Sequence, residues 1–504
     1  MTEAAKGALG RRTALGAVML ILSRLGAKLI DLATLIALTR MLTPADFGLV
    51  AIAMTLVQIC EAIFELPVVQ ILVRSEEITH PLLHTAFTLG ALRGLLLGAV
   101  LVALAWPFAA LYGDARLATL ICFLALAPIF RGLISPAMVH FVRRMDFRPD
   151  VATEMTGKAV ALIAAAAVAF VTHSYWAIAT ASVVSPLFMV ITSYALAPLR
   201  PRLRLAQWQV FAHFLTWTSA SQLFMALNWQ ADRLILARFV PRTALGVFSM
   251  ATDLANLPDQ ALLKPTMRTL LPALTHKRGD RVGLTQAYLA LTCCICAMIA
   301  PVVIALSTLA EPVVRLVLGE RWLGVAPCLA VLAPLLLITS IYNPLASLAM
   351  AIGRPEAVLR LSLVEFAVKI PLTAFAAWRY GLEGAIVVRV VVAFVALGNA
   401  LMLLRSLVGI GPFAVVGAIM RPALAGAMMA VALIAAKGWL LGLAKWQLAA
   451  GLIACGTGGV LVYGAALVAL WYWADCPAGG EEKLIRMGSA VLRRALRRGE
   501  AMTA

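Results

Sequence analysis

Long apolar runs recur along almost the whole chain, and their length constrains the fold more than any other feature. An α-helix needs about 20 residues to cross the hydrocarbon core of a bilayer. Fourteen windows of about this length carry few charges: 13–39, 46–73, 83–112, 116–138, 150–172, 175–198, 209–237, 243–271, 282–308, 324–350, 355–378, 382–404, 415–436 and 447–473. With 62% hydrophobic residues, the sequence predicts an all-α polytopic membrane protein with about 14 transmembrane helices.

Lysine and arginine in the short loops favour an orientation with both termini in the cytoplasm, because cytoplasmic loops accumulate these residues. Under this assignment twenty-two of them lie on the cytoplasmic side. Nine lie on the opposite side: Arg40, Arg116, Arg238, Arg242, Arg315, Arg321, Arg379, Lys437 and Lys445. The net charge of +18 therefore reflects topology and attraction to an anionic inner leaflet. It is spread over many loops and predicts no nucleic-acid partner.

Neither end of the chain, nor its cysteines, indicates a soluble domain or a cofactor. The first apolar run follows a short basic leader and is expected to be a retained helix, not a signal peptide. The last segment, 474–504, contains EEKLIRMGSAVLRRALRRGE at 481–500, which predicts either an amphipathic helix on the anionic leaflet or a solvated tail. Cys293 and Cys296 lie within a predicted helix without a nearby histidine, so no metal or cofactor is expected.

An internal repeat appears when the chain is shifted by 198 residues. The stretch 40–72 then aligns without a gap on 238–270, with six identities in 33 positions, among them Gly48 with Gly246. Glu61 aligns with Asp259, so an acid recurs at matching depth. Six predicted helices separate the copies, an even number, and the repeats are therefore expected to be parallel, although chance similarity between apolar sequences remains an alternative. A second echo links EMTGK at 154–158 with EFAVK at 365–369. Both place a Glu four residues before a Lys, the order that favours an ion pair on a helix.

Two motifs at the ends of predicted spans resemble a known group of transporters. QADRLIL at 230–236 is followed by ARFVPRTALGVFSMA, and LTRMLTPADFGLVAIA at 38–53 is similar to it. These motifs resemble the polysaccharide repeat-unit flippases of the multidrug/oligosaccharidyl-lipid/polysaccharide exporter superfamily. The resemblance implies two six-helix bundles, 1–205 and 206–410, around a central cavity, with two additional transmembrane helices in 411–473.

The same resemblance implies a function and its partners. The expected substrate is an undecaprenyl-diphosphate-linked oligosaccharide, which moves across the bacterial inner membrane by alternating access during lipopolysaccharide or exopolysaccharide biosynthesis. A polysaccharide polymerase and a chain-length regulator are the protein partners that it suggests. Nucleophile, metal and nucleotide motifs are absent from the sequence, so the protein is expected to be a transporter and not an enzyme.

Charges inside the predicted spans indicate a polar cavity independently of the resemblance. Nine lie well within them: Arg24, Lys28, Asp31, Glu61, Glu65, Asp259, Lys264, Glu365 and Lys369. Exposure of all nine to lipid would cost about 25–30 kcal/mol, which is more than the ~5–15 kcal/mol by which a typical fold is stable. These side chains are therefore expected to face one another or water.

The signs of these charges suggest roles, and each role has a structural alternative. The cations predicted to bind the substrate diphosphate are Arg24, Lys28, Lys264, Arg268 and Lys369. Their alternative is pairing within a helix, such as Lys28 with Asp31 or Lys369 with Glu365. The acids predicted to couple transport to an ion gradient are Asp31, Glu61, Glu65 and Asp259. Their alternative is to balance the cavity cations, which for Glu61 would be Arg24 or Lys28.

A further group is interpreted as structural or gating: Asp232, Arg233, Glu154, Lys158 and Glu365. Arg233 is placed where it can reach the headgroups, with Asp232 on an inward face. Two rival functions share the architecture, a multidrug or toxin cation antiporter and a peptidoglycan lipid-precursor flippase. The first favours an acidic, aromatic-lined cavity, whereas deep cations here are at least as numerous as acids. The second fits the motif at 230–236 less well.

Overall fold

The predicted helical membrane architecture is confirmed. A computed structural model describes residues 26–64, 68–75, 77–144, 146–206, 208–263, 281–354, 356–474 and 480, and regular structure in these residues is helical throughout. Within them nine helices are long and apolar enough to cross a membrane, or ten if one bent pair forms a single span. The chain is therefore a multi-pass membrane protein, and the number fourteen stays a prediction.

The chain divides into two compact units, of which the first is Met1–Gly246. It contains α1 (26–41), α2 (Pro44–Ile63), α3 (Val68–Arg74), α4 (His80–Tyr112), α5 (Arg116–Leu124), α6 (Leu126–Gly132), α7 (Val139–Arg143), α8 (Arg148–Thr172), α9 (Trp176–Leu196), α10 (Gln209–Phe239) and the start of α11 (Arg242–Ala255). In this unit α8 lies along α9, α4 packs on α5 and α6, and α2 packs on α10. The domain boundaries predicted at 205 and 410 stay a prediction.

The second unit is Val247–Ala504. It contains the rest of α11, a π-helical turn (Asp259–Leu263), α12 (Arg281–Thr308), α13 (Ala310–Val317), α14 (Val325–Ala351), α15 (Glu356–Val408), α16 (Pro412–Leu441) and α17 (Lys445–Trp473). One apolar core includes Tyr288, Leu348 and Leu404, and joins α12, α14 and α15. A second core includes Met429 and Tyr463, and joins α12, α16 and α17.

Prolines explain where two predicted spans are interrupted. The prediction had one span over 46–73, but α2 ends at Ile63. Pro67 has no N–H to donate to the Ile63 carbonyl, which favours a helix end at that point. The prediction also had one span over 116–138, whereas helices there end at Gly132, resume at Pro136 and are bent by 48°. A proline at the start of the second segment suits a helix N-terminus.

Helix α15 is a hairpin of two spans. A continuous helix of 53 residues would be about 80 Å long, far more than a bilayer is thick. Gly381 interrupts it with φ 62° and ψ −136°, a conformation that residues with a Cβ avoid. A Cβ on Gly384 would lie 2.6 Å from the Ala376 carbonyl oxygen, which shows that the chain turns back here. This turn lies between the predicted spans 355–378 and 382–404.

The structure supports the register of the 198-residue repeat. Helix α2 begins at Pro44 and α11 at Arg242, and these positions are equivalent in the alignment. The equivalent glycines also meet reciprocally. A Cβ on Gly48 would overlap the Arg242 carbonyl oxygen, and one on Gly246 would overlap that of Pro44. The two helix starts therefore cross in backbone contact, an arrangement that only glycine permits.

Candidate functional site: ion pairs among the membrane-spanning helices

Lys158 on α8 lies at the centre of a charged cluster in the first unit. Its ammonium is 2.8 Å from Asp31 Oδ2 on α1 and 3.2 Å from Glu154 Oε1 one turn away on α8. Lys28 is 3.7 Å from the same oxygen of Asp31. The helical pair predicted between Glu154 and Lys158 is thus present, and so is the pair of Lys28 with Asp31 that was the structural alternative to substrate binding by Lys28. The role of Lys28 in substrate binding stays a prediction. Two lysines thus balance two acids where α1 meets α8, a helix long and apolar enough to cross a membrane.

Local sequence positions these four side chains. Glu154 precedes Lys158 by four residues, the spacing and order that favour an ion pair on a helix. Lys28 and Asp31 lie three residues apart and so share one face of α1. A Cβ on Gly26 would lie 3.2 Å from Met155 Cε, which shows that α1 and α8 are neighbours here. Lys158 is the most enclosed of the four, with 22% of its side chain exposed.

Glu61, near the end of α2, pairs with Arg131 on α6 and accepts a hydrogen bond from Arg131 Nη1. Arg93 on α4 donates to the carbonyl oxygens of Phe64 and, at 3.3 Å, of Glu61. Carbonyls in the last turn of a helix have no partner within that helix, and the Arg93 guanidinium supplies one. The end of α2 therefore contacts cations on two further helices. The Glu61 carboxylate binds Arg131, and the backbone carbonyls bind Arg93.

The interface between α2 and α10 contains polar side chains. Gln230 donates through Nε2 to Gln58 Oε1, and the Gln230 side chain is buried. Asp232 is only 2% exposed and Arg233 is half-buried. The expectation that Asp232 points inward thus agrees with its burial, while its gating role stays a prediction.

The second unit has a smaller polar group on α14 and α15. Lys369 is 8% exposed, and Glu365 is half-buried one turn earlier. Glu365 and Arg389 both act electrostatically on Tyr342, and the Arg389 guanidinium lies 6.0 Å from the Phe248 ring centre, within cation–π range. Asp259 is half-buried and begins the π-helical turn.

Four predicted site residues lie outside the described part of the chain: Arg24, Glu65, Lys264 and Arg268. Conversely, the sequence interpretation omitted three arginines that the structure places among membrane-spanning helices: Arg93, Arg131 and Arg389. Each lies at least seven residues inside a predicted span, so a complete inventory of charges within spans would have found them. Their partners are distant in sequence and could not have been assigned from it.

Comparison with known proteins gives the family. Residues 37–327, more than half of the chain, match the family described as "Polysaccharide biosynthesis protein". The chain belongs to this family. The region that matches includes both copies of the repeat and the ion-pair clusters of the first unit, except for Lys28 and Asp31.

Two proteins similar to this member of the polysaccharide biosynthesis protein family have names that refer to glycan assembly. Succinoglycan biosynthesis transport protein ExoT of Rhizobium meliloti is 27% identical over 315 residues, which cover 62% of this chain and 64% of ExoT. Lipopolysaccharide biosynthesis protein WzxC of Escherichia coli is 24% identical over 341 residues, which cover 65% of this chain and 67% of WzxC. The similarity thus spans about two thirds of each relative.

One solved structure confirms the fold class. The lipid II flippase MurJ in an inward closed conformation superposes with a TM-score of 0.70 over 92% of this chain and 100% of its own. Sequence identity is 13%, so this likeness concerns the fold alone. The polytopic all-helical architecture predicted from the apolar runs is therefore confirmed.

Proposed function

We propose that the protein moves an undecaprenyl-diphosphate-linked oligosaccharide from the cytoplasmic to the periplasmic leaflet of the bacterial inner membrane by alternating access. Family membership and the names of the relatives support a role in polysaccharide biosynthesis. The observation that carries the proposal is the charged cluster around Lys158, which remains partly exposed although it lies among membrane-spanning helices. Charges in such positions face a water-filled space, because exposure to lipid is costly.

The chemistry of the clusters suits a diphosphate. Ammonium and guanidinium groups form strong charge-assisted hydrogen bonds with phosphate oxygens. In this structure Asp31 holds Lys158 and Glu61 holds Arg131. A proton that neutralises either acid would release its cation to the diphosphate, and this exchange would couple transport to an ion gradient. Transport in this proposal involves no covalent step.

The proposal places both termini in the cytoplasm and includes a polysaccharide polymerase and a chain-length regulator as partners. Its test in cells is removal of the gene. Surface polysaccharide is expected to disappear while lipid-linked oligosaccharide accumulates in the cytoplasmic leaflet. Restoration by a plasmid copy is the control. Normal surface polysaccharide without the gene, in a strain without a second family member, would contradict the proposal.

Coupling predicts a specific effect of Glu61→Gln. Glutamine retains a hydrogen-bond acceptor for Arg131 but cannot exchange a proton, so the variant is expected to bind substrate and to lose the acceleration by an imposed pH gradient. The measurement is the initial flipping rate in vesicles with and without that gradient. Glu77→Gln, at an exposed acid outside the helices, is the matched control. A gradient response equal to that of the parent protein would remove Glu61 from coupling.

A further inference from the structure

A second cationic site lies at one end of the first unit, away from the clusters around Lys158 and Glu61. It is a cavity of about 420 Å³ whose lining includes Arg116, Arg238, Arg242, Tyr112 and Asp46. The loops between α4 and α5 and between α10 and α11 meet here with the start of α2. Three arginines at the helix ends beside these two loops thus line one cavity.

The buried carboxylate of Asp114 fixes two of these arginines. Arg116 donates from Nε to Oδ1 at 3.1 Å and from Nη2 to Oδ2 at 3.2 Å. Arg242 Nη2 is 2.6 Å from Oδ2. Burial opposes ionisation of Asp114, but the hydrogen bonds from Arg116 and the charges of Arg242 and Arg116 outweigh it and lower the pKa of this carboxyl. Asp114 therefore stays charged at neutral pH and holds both guanidinium groups in place.

Arg238 is the arginine of this cavity that Asp114 does not hold, and its guanidinium can bind an anion. Among the described residues no ion pair engages it, and its side chain is exposed at the cavity. Asp46, the acid in the cavity lining, already holds two hydrogen bonds, because its Oδ2 accepts the Thr43 backbone N–H at 3.0 Å and the Thr43 hydroxyl at 2.6 Å. The positive charge of the three arginines therefore exceeds the negative charge of the two nearby acids, Asp114 and Asp46.

Backbone dipoles add to this positive field. Helices α2, α5 and α11 all begin at the cavity, and residues of their first turns line it. The N-terminus of a helix carries a partial positive charge and favours anions. Membrane topology does not account for the cluster, because Arg116, Arg238 and Arg242 are three of only nine cations predicted on the side where cations are scarce.

We propose that this cavity is a binding site for an oxyanion group, and that it receives the diphosphate of the lipid-linked substrate at the outer end of the first unit. The assignment to that substrate rests on the proposed function, whereas oxyanion binding does not. The cavity accommodates a small anionic group and not a whole oligosaccharide, since its volume is about 420 Å³. A carboxylate of an acidic sugar offers the same chemistry.

The test is titration of the purified full-length protein in detergent with inorganic diphosphate and, separately, with glucuronate. Arg238→Gln is expected to weaken diphosphate binding about tenfold, as the loss of one charge-assisted hydrogen bond implies. Arg379→Gln is the matched control, because Arg379 is an exposed arginine of the second unit predicted on the same side. Its affinity for diphosphate is expected to equal that of the parent protein.

Arginine labelling with phenylglyoxal, read by mass spectrometry, provides a second measurement that needs no variant. Diphosphate is expected to protect Arg238 and Arg242 and to leave Arg379 reactive. Stronger protection by glucuronate would support the site and assign it to an acidic sugar. Unchanged affinity in Arg238→Gln, together with labelling of Arg238 and Arg242 that is the same with and without diphosphate, would overturn the proposal. Protection in a protein that moves no lipid-linked oligosaccharide would retain the site and reject the proposed function.

Discussion

Replacement of Lys158 by Met is expected to slow the flipping of lipid-linked oligosaccharide by about ten- to a hundredfold. Lys158 contacts both Asp31 and Glu154, but these acids are 42% and 46% exposed, so the ion pairs themselves contribute little to stability. A charge-assisted hydrogen bond from Lys158 to the diphosphate would contribute about 1.5–3 kcal/mol, which corresponds to about ten- to a hundredfold in rate if it is made in the transport step. The uncompensated acids would also repel the diphosphate.

Lys437→Met is the matched control for this prediction. Lys437 also pairs with an acid, at 3.2 Å from Glu311 Oε2, but it lies in the second unit, outside the clusters of Lys158 and Glu61. Exposed pairs contribute about 0–1 kcal/mol, so the rate is expected to stay within about fivefold of the parent. Flipping is measured in reconstituted vesicles that contain equal amounts of folded protein. Equal losses in the two variants would show that Lys158 has no special place in the pathway.

Gly246→Ala is expected to destabilise the protein by about 2–4 kcal/mol. The added methyl group would overlap the Pro44 carbonyl oxygen, and backbone at a helix crossing has no rotamer by which to move aside. Helices α2 and α11 must therefore move apart, and this movement also breaks the backbone contact at Gly48. The measurement is the thermal unfolding temperature of the purified protein in detergent.

Gly398→Ala controls for the general effect of alanine in a helix. Gly398 lies in α15, and a Cβ there would meet no atom within 4 Å. Alanine is favoured over glycine in a helix by about 0.5–1 kcal/mol, so this variant is expected to unfold at the same temperature or slightly above. If both alanine variants unfold like the parent protein, the proposed tight crossing at Gly246 does not exist.

The apolar runs predicted most helix positions because bilayer thickness imposes a length that sequence alone reveals. The predicted spans 282–308 and 447–473 agree closely with the helices Arg281–Thr308 and Lys445–Trp473. The end of α2 at Ile63 was not predicted, because the apolar run continues to residue 73 and its hydrophobicity gives no sign of a break. The repeat alignment gave the start of α11 correctly because the two copies have the same helix boundaries.

The candidate site was predictable only where its contacts are local. The spacing of Glu154 and Lys158 predicts their pair, since helical geometry alone brings them together. The contact of Lys158 with Asp31 joins residues 127 positions apart, and only tertiary packing decides such a partner. The expected structural partners of Glu61 were Arg24 and Lys28, but its partner in the structure is Arg131. This partner also depends on tertiary packing, and local sequence could not reveal it.

Reconstitution tests the central claim most directly. Purified protein is placed in vesicles with undecaprenyl-diphosphate oligosaccharide that carries a fluorescent sugar, and the fraction accessible to an impermeant quencher is followed with time. A neutral lipid that carries the same oligosaccharide is the comparison. We predict protein-dependent movement of the diphosphate lipid and much slower movement of the neutral one, because the proposed function requires the clusters of Lys158 and Arg131 to bind phosphate oxygens. Equal rates for the two lipids, or no movement above that in protein-free vesicles, would contradict the account.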